Sequence, residues 1–112
     1  MNTLGKKGEE YVAEVLRKKG YRIIARNFRL GKDEIDIVAY RSKIHFLIEV
    51  KTISSRSVIT GGQQMTIKKQ KFFERAAQKY AKKFRPQYMR LLFAEVVILE
   101  EKIQSLIITK YS

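Results

Sequence analysis

The six residues FLIEVK, Phe46 to Lys51, decide the fold class of this chain. Their apolar and β-branched side chains are typical of a buried strand, yet the strand ends with two opposite charges, Glu49 and Lys51. Side chains of a strand alternate between the two faces of a sheet. One face is therefore expected to carry Ile44, Phe46, Ile48 and Val50, and the other His45, Leu47, Glu49 and Lys51. Because burying unpaired ions is costly, this strand end is either a salt bridge or a functional site.

The segments around this strand predict the element order α-β-β-β-α-β-β. Apolar residues at helical spacing predict a first helix over 4–19 that stops at Gly20, and a second over about 66–84 that ends before Pro86. Runs rich in β-branched and aromatic residues predict strands over 21–28, 34–40, 43–51, 91–99 and 102–110. This order is typical of an α/β domain in which helices flank a central mixed β-sheet.

The composition predicts one globular domain over residues 1–112. The chain is 45% hydrophobic and 11% aromatic, which is enough for a single core. No apolar run approaches the roughly 18 residues that cross a bilayer, so we expect no membrane partner. The N-terminal segment lacks the apolar core of a signal peptide, and the expected location is the cytoplasm. The absence of cysteine excludes disulfides and thiolate metal sites.

The charge balance predicts a polyanionic partner. Twenty-four Lys and Arg residues against eleven Asp and Glu residues leave a net charge of +13 and a pI near 10.1. Basic surfaces bind nucleic acid because neutralised phosphates release their counterions. The polar loop from Ser54 to Gln64 is expected to be flexible and to take part in binding. The candidate nucleic-acid-binding residues are Lys6, Lys7, Arg29, Lys32, Arg56, Lys68 and Lys69.

Two acidic residues on neighbouring strands are expected to meet. In EIDIVAY, alternation places Ile35, Ile37 and Ala39 on one face and Glu34 and Asp36 on the other. A turn at Arg41 to Lys43 would pair this strand with the next as an antiparallel hairpin, which puts Asp36 close to opposite Glu49.

This pair of acids has two interpretations that the strands alone do not separate. Carboxylate oxygens at this spacing suit a hard divalent ion such as Mg²⁺ or Mn²⁺, and a single histidine makes zinc a poor fit. The other interpretation is a cross-strand ion pair between Asp36 and Lys51, with no metal.

Both helices contribute further candidates. Glu9 lies at the edge of the apolar stripe of the first helix and is expected to face the sheet, whereas Glu10 and Glu14 point outward. On the second helix, Lys69 and Gln70 lie on or beside the apolar stripe. That stripe consists of Phe72, Phe73, Ala76, Ala77, Tyr80 and Phe84. A lysine on such a stripe either extends past the helix end or reaches an anion in a cleft.

Six short motifs follow one another along the chain: GEE at 8–10, GY at 20–21, NFR at 27–29, EID at 34–36, FLIEVK at 46–51 and KKQ at 68–70. Together, from Gly5 to about Tyr80, they resemble the YraN-like family of small, uncharacterised bacterial proteins. That family has a restriction-endonuclease-like fold with the PD-(D/E)-x-K pattern and is a distant relative of archaeal Holliday-junction resolvases. The match is weaker after Pro86. The chain departs from the pattern at Asp33, where glycine is expected, and at Ile53, where a basic residue commonly follows the lysine.

The resemblance implies an endonuclease that depends on Mg²⁺ or Mn²⁺ and hydrolyses phosphodiester bonds in DNA. The implied metal ligands are Asp36, Glu49, the carbonyl of Val50, and Glu9 for a second or transient ion. The implied catalytic residues are Glu9, Asp36, Glu49, Lys51 and Gln70. Lys51 would lie beside the scissile phosphate, and Gln70 or Lys69 would steady the attacking water or the phosphate. The superfamily resemblance also implies cleavage that leaves a 5′-phosphate, and the link to resolvases implies a homodimer that places two sites on branched DNA.

Two alternatives to the nuclease remain open at this point. A non-catalytic nucleic-acid-binding module could keep the same fold and use the acids only in an ion pair. A factor that associates with RNA or the ribosome would also fit the basic charge, but it leaves the inward-facing acids without a role.

Overall fold

The computed structural model describes residues 3–54 and 67–111. They form two helices and five strands in the predicted order. The elements are α1 (Thr3–Lys18), β1 (Arg22–Leu30), β2 (Asp33–Arg41), β3 (Ile44–Ser54), α2 (Ile67–Phe84), β4 (Tyr88–Leu99) and β5 (Lys102–Lys110). The predicted α/β class and element order are confirmed. Arg56 and most of the predicted loop lie outside the described residues.

The five strands lie in the sheet in chain order, β1-β2-β3-β4-β5. The pairs β1–β2, β2–β3 and β4–β5 are antiparallel, and β3–β4 is parallel. β3 and β4 can run parallel because the connection through α2 returns the chain to the end of the sheet at which β3 begins. The predicted mixed sheet is therefore confirmed.

Two tight turns set the register of the hairpins. Ser42 and Lys43 connect β2 to β3 with φ angles of 52° and 67°, and Glu100 and Glu101 connect β4 to β5 with 49° and 65°. Two successive positive φ angles are the mark of the type I′ turn, whose twist matches that of the paired strands. Neither turn contains the Asn or Gly that usually marks this type, so the pairing of the strands must compensate for the strain.

The helices cover opposite faces of the sheet, each with its own buried cluster. The α1 cluster is centred on Val12, Ala13, Leu16, Ile37, Ala39, Ile48, Ala94, Val96 and Ile98. The α2 cluster contains Leu30, Ile35, Val38, Leu47, Phe73, Ala76, Ala77 and Tyr80. Phe46 and Val50 pack against the first cluster, whereas Leu47 belongs to the second, as strand alternation predicts.

Two predictions about side-chain placement are wrong. Ile35 does not share a face with Ile37, because Ile35 packs in the α2 cluster and Ile37 in the α1 cluster. The alternation of side chains along β2 breaks between Ile35 and Ile37. The β1 residues that pair with them, Phe28 and Arg26, lie on either side of Asn27, whose φ is 48°. On α2, Phe72 and Phe84 are 42% and 46% exposed, so only the middle of the predicted stripe is buried.

Candidate active site

A cleft of about 450 Å³ lies at the point where β2 and β3 separate. Residues from α1, β2, β3, α2 and the β1–β2 turn line it. They are Glu9, Lys32, Asp33, Glu34, Asp36, Glu49, Val50, Lys69, Phe72, Phe73 and Arg75. Five carboxylates and three cations thus surround a space in the size range of ligand sites. An acidic cleft on a chain of charge +13 is the feature that calls for a functional explanation.

The side chain of Asp36 replaces a backbone hydrogen bond at the position where the pairing of β2 with β3 ends. The paired positions of β2 and β3 run from Arg41–Ile44 to Ile37–Ile48, and the next positions in that register are Asp36 and Glu49. The expected proximity of the two acids is confirmed. The Asp36 carboxylate accepts a hydrogen bond of 2.8 Å from the Val50 amide, so the side chain satisfies a backbone donor where the strand ladder stops.

Asp36 and Glu49 form a hydrogen-bonded carboxyl pair. Burial, the charge of Asp36 and the hydrogen bond to Asp36 together raise the pKa of Glu49 to about 9. Burial also raises the pKa of Asp36, which the Val50 amide and Glu49 oppose by hydrogen bonding. Two carboxylates in contact cannot both ionise at low cost, so the pair holds a proton near neutral pH.

Glu9 lies in the same cleft and is almost fully buried, at 6% exposure. Its Oε1 accepts a hydrogen bond of 3.0 Å from the Asn27 side-chain amide and lies 4.0 Å from the Arg26 guanidinium. Burial and the charge of Asp36 raise the pKa of Glu9. Glu9 faces the sheet as predicted, and the two β1 residues hold it in place.

The backbone at Gly8 lets α1 approach the sheet this closely. A Cβ atom on Gly8 would lie 1.9 Å from the Thr52 hydroxyl oxygen, so only glycine fits between α1 and β3. The close contact seats the next residue, Glu9, at the wall of the cleft. Its outward neighbours Glu10 and Glu14 instead lie within 4 Å of Arg17, as the helical wheel predicts.

The Asp36–Glu49 pair provides two carboxylate groups, and carboxylate oxygens are the ligands that hard divalent cations prefer. A bound cation would displace the proton from the pair. Within residues 3–54 and 67–111, no three His, Cys, Asp or Glu side chains form a group that could hold a metal ion. The role of Glu9 as a further ligand therefore stays a prediction.

The two predicted catalytic residues Lys51 and Gln70 lie outside the described lining of the cleft. Lys51 is half-buried, and burial together with the charge of Lys69 lowers its pKa, whereas the charge of Glu49 raises it. This coupling places Lys51 within electrostatic range of the acid pair. The main-chain carbonyl of Gln70 accepts a hydrogen bond of 3.5 Å from the Tyr111 hydroxyl. The catalytic roles of both residues stay predictions.

The six predicted nucleic-acid-binding residues that the structure describes divide into two groups. Lys32 and Lys69 line the cleft, and Lys68 is exposed nearby on the first turn of α2. Lys6, Lys7 and Arg29 are exposed on α1 and β1, and the Lys7 ammonium group donates to the carbonyl of Glu101. Lys32 and Lys69 of the first group therefore line the same cleft as the acid pair.

Asp33 is the centre of an ion cluster that sequence reasoning missed. Its carboxylate binds the Arg75 guanidinium through two hydrogen bonds of 2.8 and 2.6 Å and lies 2.7 Å from the Lys79 ammonium. These hydrogen bonds lower the pKa of Asp33 well below its ordinary value. The sequence marked Asp33 as unusual. The further signal in the sequence is the spacing of Arg75 and Lys79, two basic residues that lie one helical turn apart on α2.

A protein-family model matches most of this chain. It is described as "Uncharacterised protein family UPF0102", and it matches residues 8–104. The chain belongs to the UPF0102 family. This is the YraN-like family, so the resemblance predicted from the motifs is confirmed.

Two members of the UPF0102 family are similar to this protein over most of its length. A UPF0102 protein of Chlorobaculum tepidum is 37% identical over 108 residues, which cover 96% of this chain and 84% of that protein. One from Alkaliphilus metalliredigens is 40% identical over 102 residues, or 89% of this chain and 90% of that protein.

A solved structure offers a weaker comparison. A FdxN element excision controlling factor protein from Anabaena variabilis superposes with a TM-score of 0.44 and 15% sequence identity, over 91% of this chain and 98% of that chain. A similarity of this size carries no argument about function. No helix in the described part of the chain is long and apolar enough to span a membrane.

Proposed function

We propose that this UPF0102 protein is an endonuclease that depends on Mg²⁺ or Mn²⁺ and hydrolyses phosphodiester bonds in DNA, with branched DNA such as a Holliday junction as its substrate. The observation that carries the proposal is the Asp36–Glu49 carboxyl pair inside a cleft of a chain with a charge of +13. A basic surface attracts the phosphate backbone, and an acidic pocket in that surface is suited to a cation that the phosphate also needs.

The proposed ligands are the carboxylates of Asp36 and Glu49 and the carbonyl of Val50, with Glu9 available to an additional ion. When bound, a divalent ion would neutralise charge on the phosphate and lower the pKa of a water molecule. All four of these residues line the cleft.

The chain's own contacts would prepare this site. The Val50 amide fixes the Asp36 carboxylate, and Asn27 fixes that of Glu9, so neither has to be ordered when substrate binds. Lys69 in the lining and Lys51 beside Glu49 would offer positive charge to the phosphate oxygens. Gln70, on the first turn of α2, would contact the phosphate or the attacking water. A homodimer that presents two clefts to one junction belongs to the same proposal.

The second candidate is a nucleic-acid-binding module without catalysis. The observation in its favour is that the described residues contain no group of three potential metal ligands, and that Lys51 and Gln70 lie outside the described lining of the cleft. Such a module would bind DNA equally well with and without a chelator.

A cleavage panel separates the two candidates. Linear, flapped and four-way DNA would be incubated with Mn²⁺ or Mg²⁺ and either the wild-type protein or Glu49→Gln. The nuclease predicts cleavage by the wild type that a chelator and Glu49→Gln both abolish. Glu14→Gln removes the same charge from an exposed position of α1 and serves as the control. Binding of all three DNAs without metal-dependent cleavage would favour the binding module.

A further inference from the structure

We infer that Phe72 is a stacking platform for an unpaired nucleobase of the substrate, beside the proposed phosphodiester site. The inference rests on the proposed function, because it takes the cleft to bind nucleic acid. It adds a requirement on the substrate: a nucleotide next to the bond to be cut must be free to leave its base stack.

The position of Phe72 distinguishes it from an ordinary exposed apolar residue. Single apolar side chains on a surface are normal and need no function. Phe72, however, lines the cleft that holds Asp36 and Glu49, and it is 42% exposed there, whereas the adjacent Phe73 is 1% exposed in the core. The cleft therefore contains an accessible aromatic ring among charged groups.

Two cations flank this ring along α2. The Arg75 guanidinium carbon lies 5.0 Å from the ring centroid, and the Lys68 ammonium lies 5.8 Å from it. The two hydrogen bonds from Arg75 to Asp33 fix the guanidinium group in its position beside the Phe72 ring. Lys68 is exposed and near the distance limit of a cation–π contact, so an incoming base can displace it at little cost.

An aromatic ring between cations matches the chemistry of a single-stranded nucleotide. Proteins that bind single strands place bases on aromatic side chains and phosphates on nearby Lys and Arg residues. In a duplex both faces of each base are covered by its neighbours, so the ring can reach only a base that is unpaired or has been displaced. Flaps, gaps and junctions supply such bases, and an intact duplex does not.

Phe84 provides a matched control on the same helix. It is 46% exposed and has the Lys83 ammonium 5.6 Å from its ring, so its exposure and its nearby charge resemble those of Phe72. It is outside the described lining of the cleft and packs its ring against Tyr80 and Phe28. A general effect of removing an exposed ring near a lysine would appear at both positions.

The test measures DNA binding in a chelator, so that it does not depend on cleavage. The probes are a flapped DNA with 2-aminopurine at the unpaired position next to the branch, and a fully paired duplex of the same sequence. The wild type should quench the unpaired 2-aminopurine and bind the flap more tightly than the duplex. Phe72→Leu should lose the quenching and lower the flap-to-duplex affinity ratio about tenfold, a factor within the range for loss of one stacked base. Phe72→Tyr should keep both properties.

Phe84→Leu should keep the quenching and the affinity ratio. The inference is overturned if Phe72→Leu leaves the ratio unchanged, or if Phe84→Leu lowers it equally. Quenching that depends on Phe72 in a protein that never cleaves DNA would overturn only the proposed hydrolysis. An RNA strand in place of the DNA flap tests the source of the base: equal quenching would show that the platform accepts either sugar.

Discussion

Asp33 and Asp36 lie three residues apart on β2 and line the same cleft, yet their surroundings shift their pKa values in opposite directions. Asp33 meets Arg75 and Lys79, and their hydrogen bonds lower its pKa. Asp36 meets Glu49 instead, and burial raises its pKa. One aspartate is compensated by the protein itself, and the other shares its proton with a second acid.

The difference shows how a structural acid is told from a functional one. A carboxylate with two cationic partners is already neutralised by them, so a metal ion could bind it only if those ion pairs were broken. A pair of carboxylates buried against each other costs stability, and groups with such raised pKa values are concentrated at functional sites. The Asp33 cluster joins α2 to the start of β2, and the proposed function assigns the cation site to the Asp36–Glu49 pair.

The largest predicted effect is on cleavage. Asp36→Asn should reduce Mn²⁺-dependent junction cleavage on the order of a hundredfold or more, because it removes a ligand charge while keeping the side chain's size. DNA binding should stay equal or become tighter, since a negative charge near the phosphates is lost. Cleavage rates and binding of a labelled junction would be compared with those of Glu14→Gln. Equal loss in both variants would remove the distinction between Asp36 and any other acid.

The second prediction concerns the compensated aspartate. Arg75→Ala should lower the melting temperature by several degrees, because it leaves the buried Asp33 carboxylate with Lys79 as its only cation among the described partners. Thermal unfolding followed by circular dichroism measures the change, with the exposed Lys82→Ala as a control on the same helix. An unchanged melting temperature for Arg75→Ala would mean that the cluster does not hold α2 to β2.

The third prediction is an opposite pH dependence at the two ends of the cleft. The pKa of Glu49 is raised from 4.5 to about 9, so its contribution to stability is complete below pH 4.5 and is lost as the pH rises toward 9. The pKa of Asp33 is lowered, so its contribution is complete above its ordinary value of 3.8 and is lost as the pH falls below it.

Metal-free unfolding between pH 3 and pH 9 would check both signs. Glu49→Gln should flatten the loss of stability on the alkaline side, and Asp33→Asn should differ from the wild type least at the acidic end. A Glu49→Gln protein with the same alkaline slope as the wild type would show that the acid pair does not share a proton.

The smallest effect is expected from the contact that seats Glu9. Gly8→Ala should destabilise the protein by about 1–3 kcal/mol, because the new methyl group would overlap the Thr52 hydroxyl and push α1 from β3. Thr52→Ala should relieve part of this loss in the double variant. It removes an oxygen that is buried and has no hydrogen-bond partner in the described part of the chain. Denaturant unfolding of the three variants measures the coupling, and strictly additive losses would contradict the proposed overlap.

Local patterns in the sequence were sufficient for much of this molecule. Alternation in two strands and a short turn placed Asp36 next to Glu49, and β5 occupies the predicted residues 102–110. Helical spacing turned Glu9 toward the sheet. In each case the periodicity of one element, or the length of one turn, determines where the residue lies.

The remaining features depend on contacts between distant parts of the chain. Ile35 packs in the α2 cluster at a part of β2 that pairs with the residues around Asn27 on β1, and Asn27 has a left-handed backbone conformation. The partners of Asp33 lie 42 or more residues away on α2, and Gln70 is bound through its carbonyl to Tyr111 at the far end of the chain. Strict alternation and a helical wheel contain no information about such partners.

Calorimetric titration of the metal-free protein with Mn²⁺ tests the central claim most directly. If Asp36 and Glu49 share a proton and exchange it for a cation, binding at pH 7 should release about one proton, seen as a heat that changes with the ionisation enthalpy of the buffer. Asp36→Asn should lose both the binding and the proton release, while Asp33→Asn should keep them in the fraction that is folded. Binding that survives Asp36→Asn, or a wild-type protein that takes up no Mn²⁺, would contradict the account.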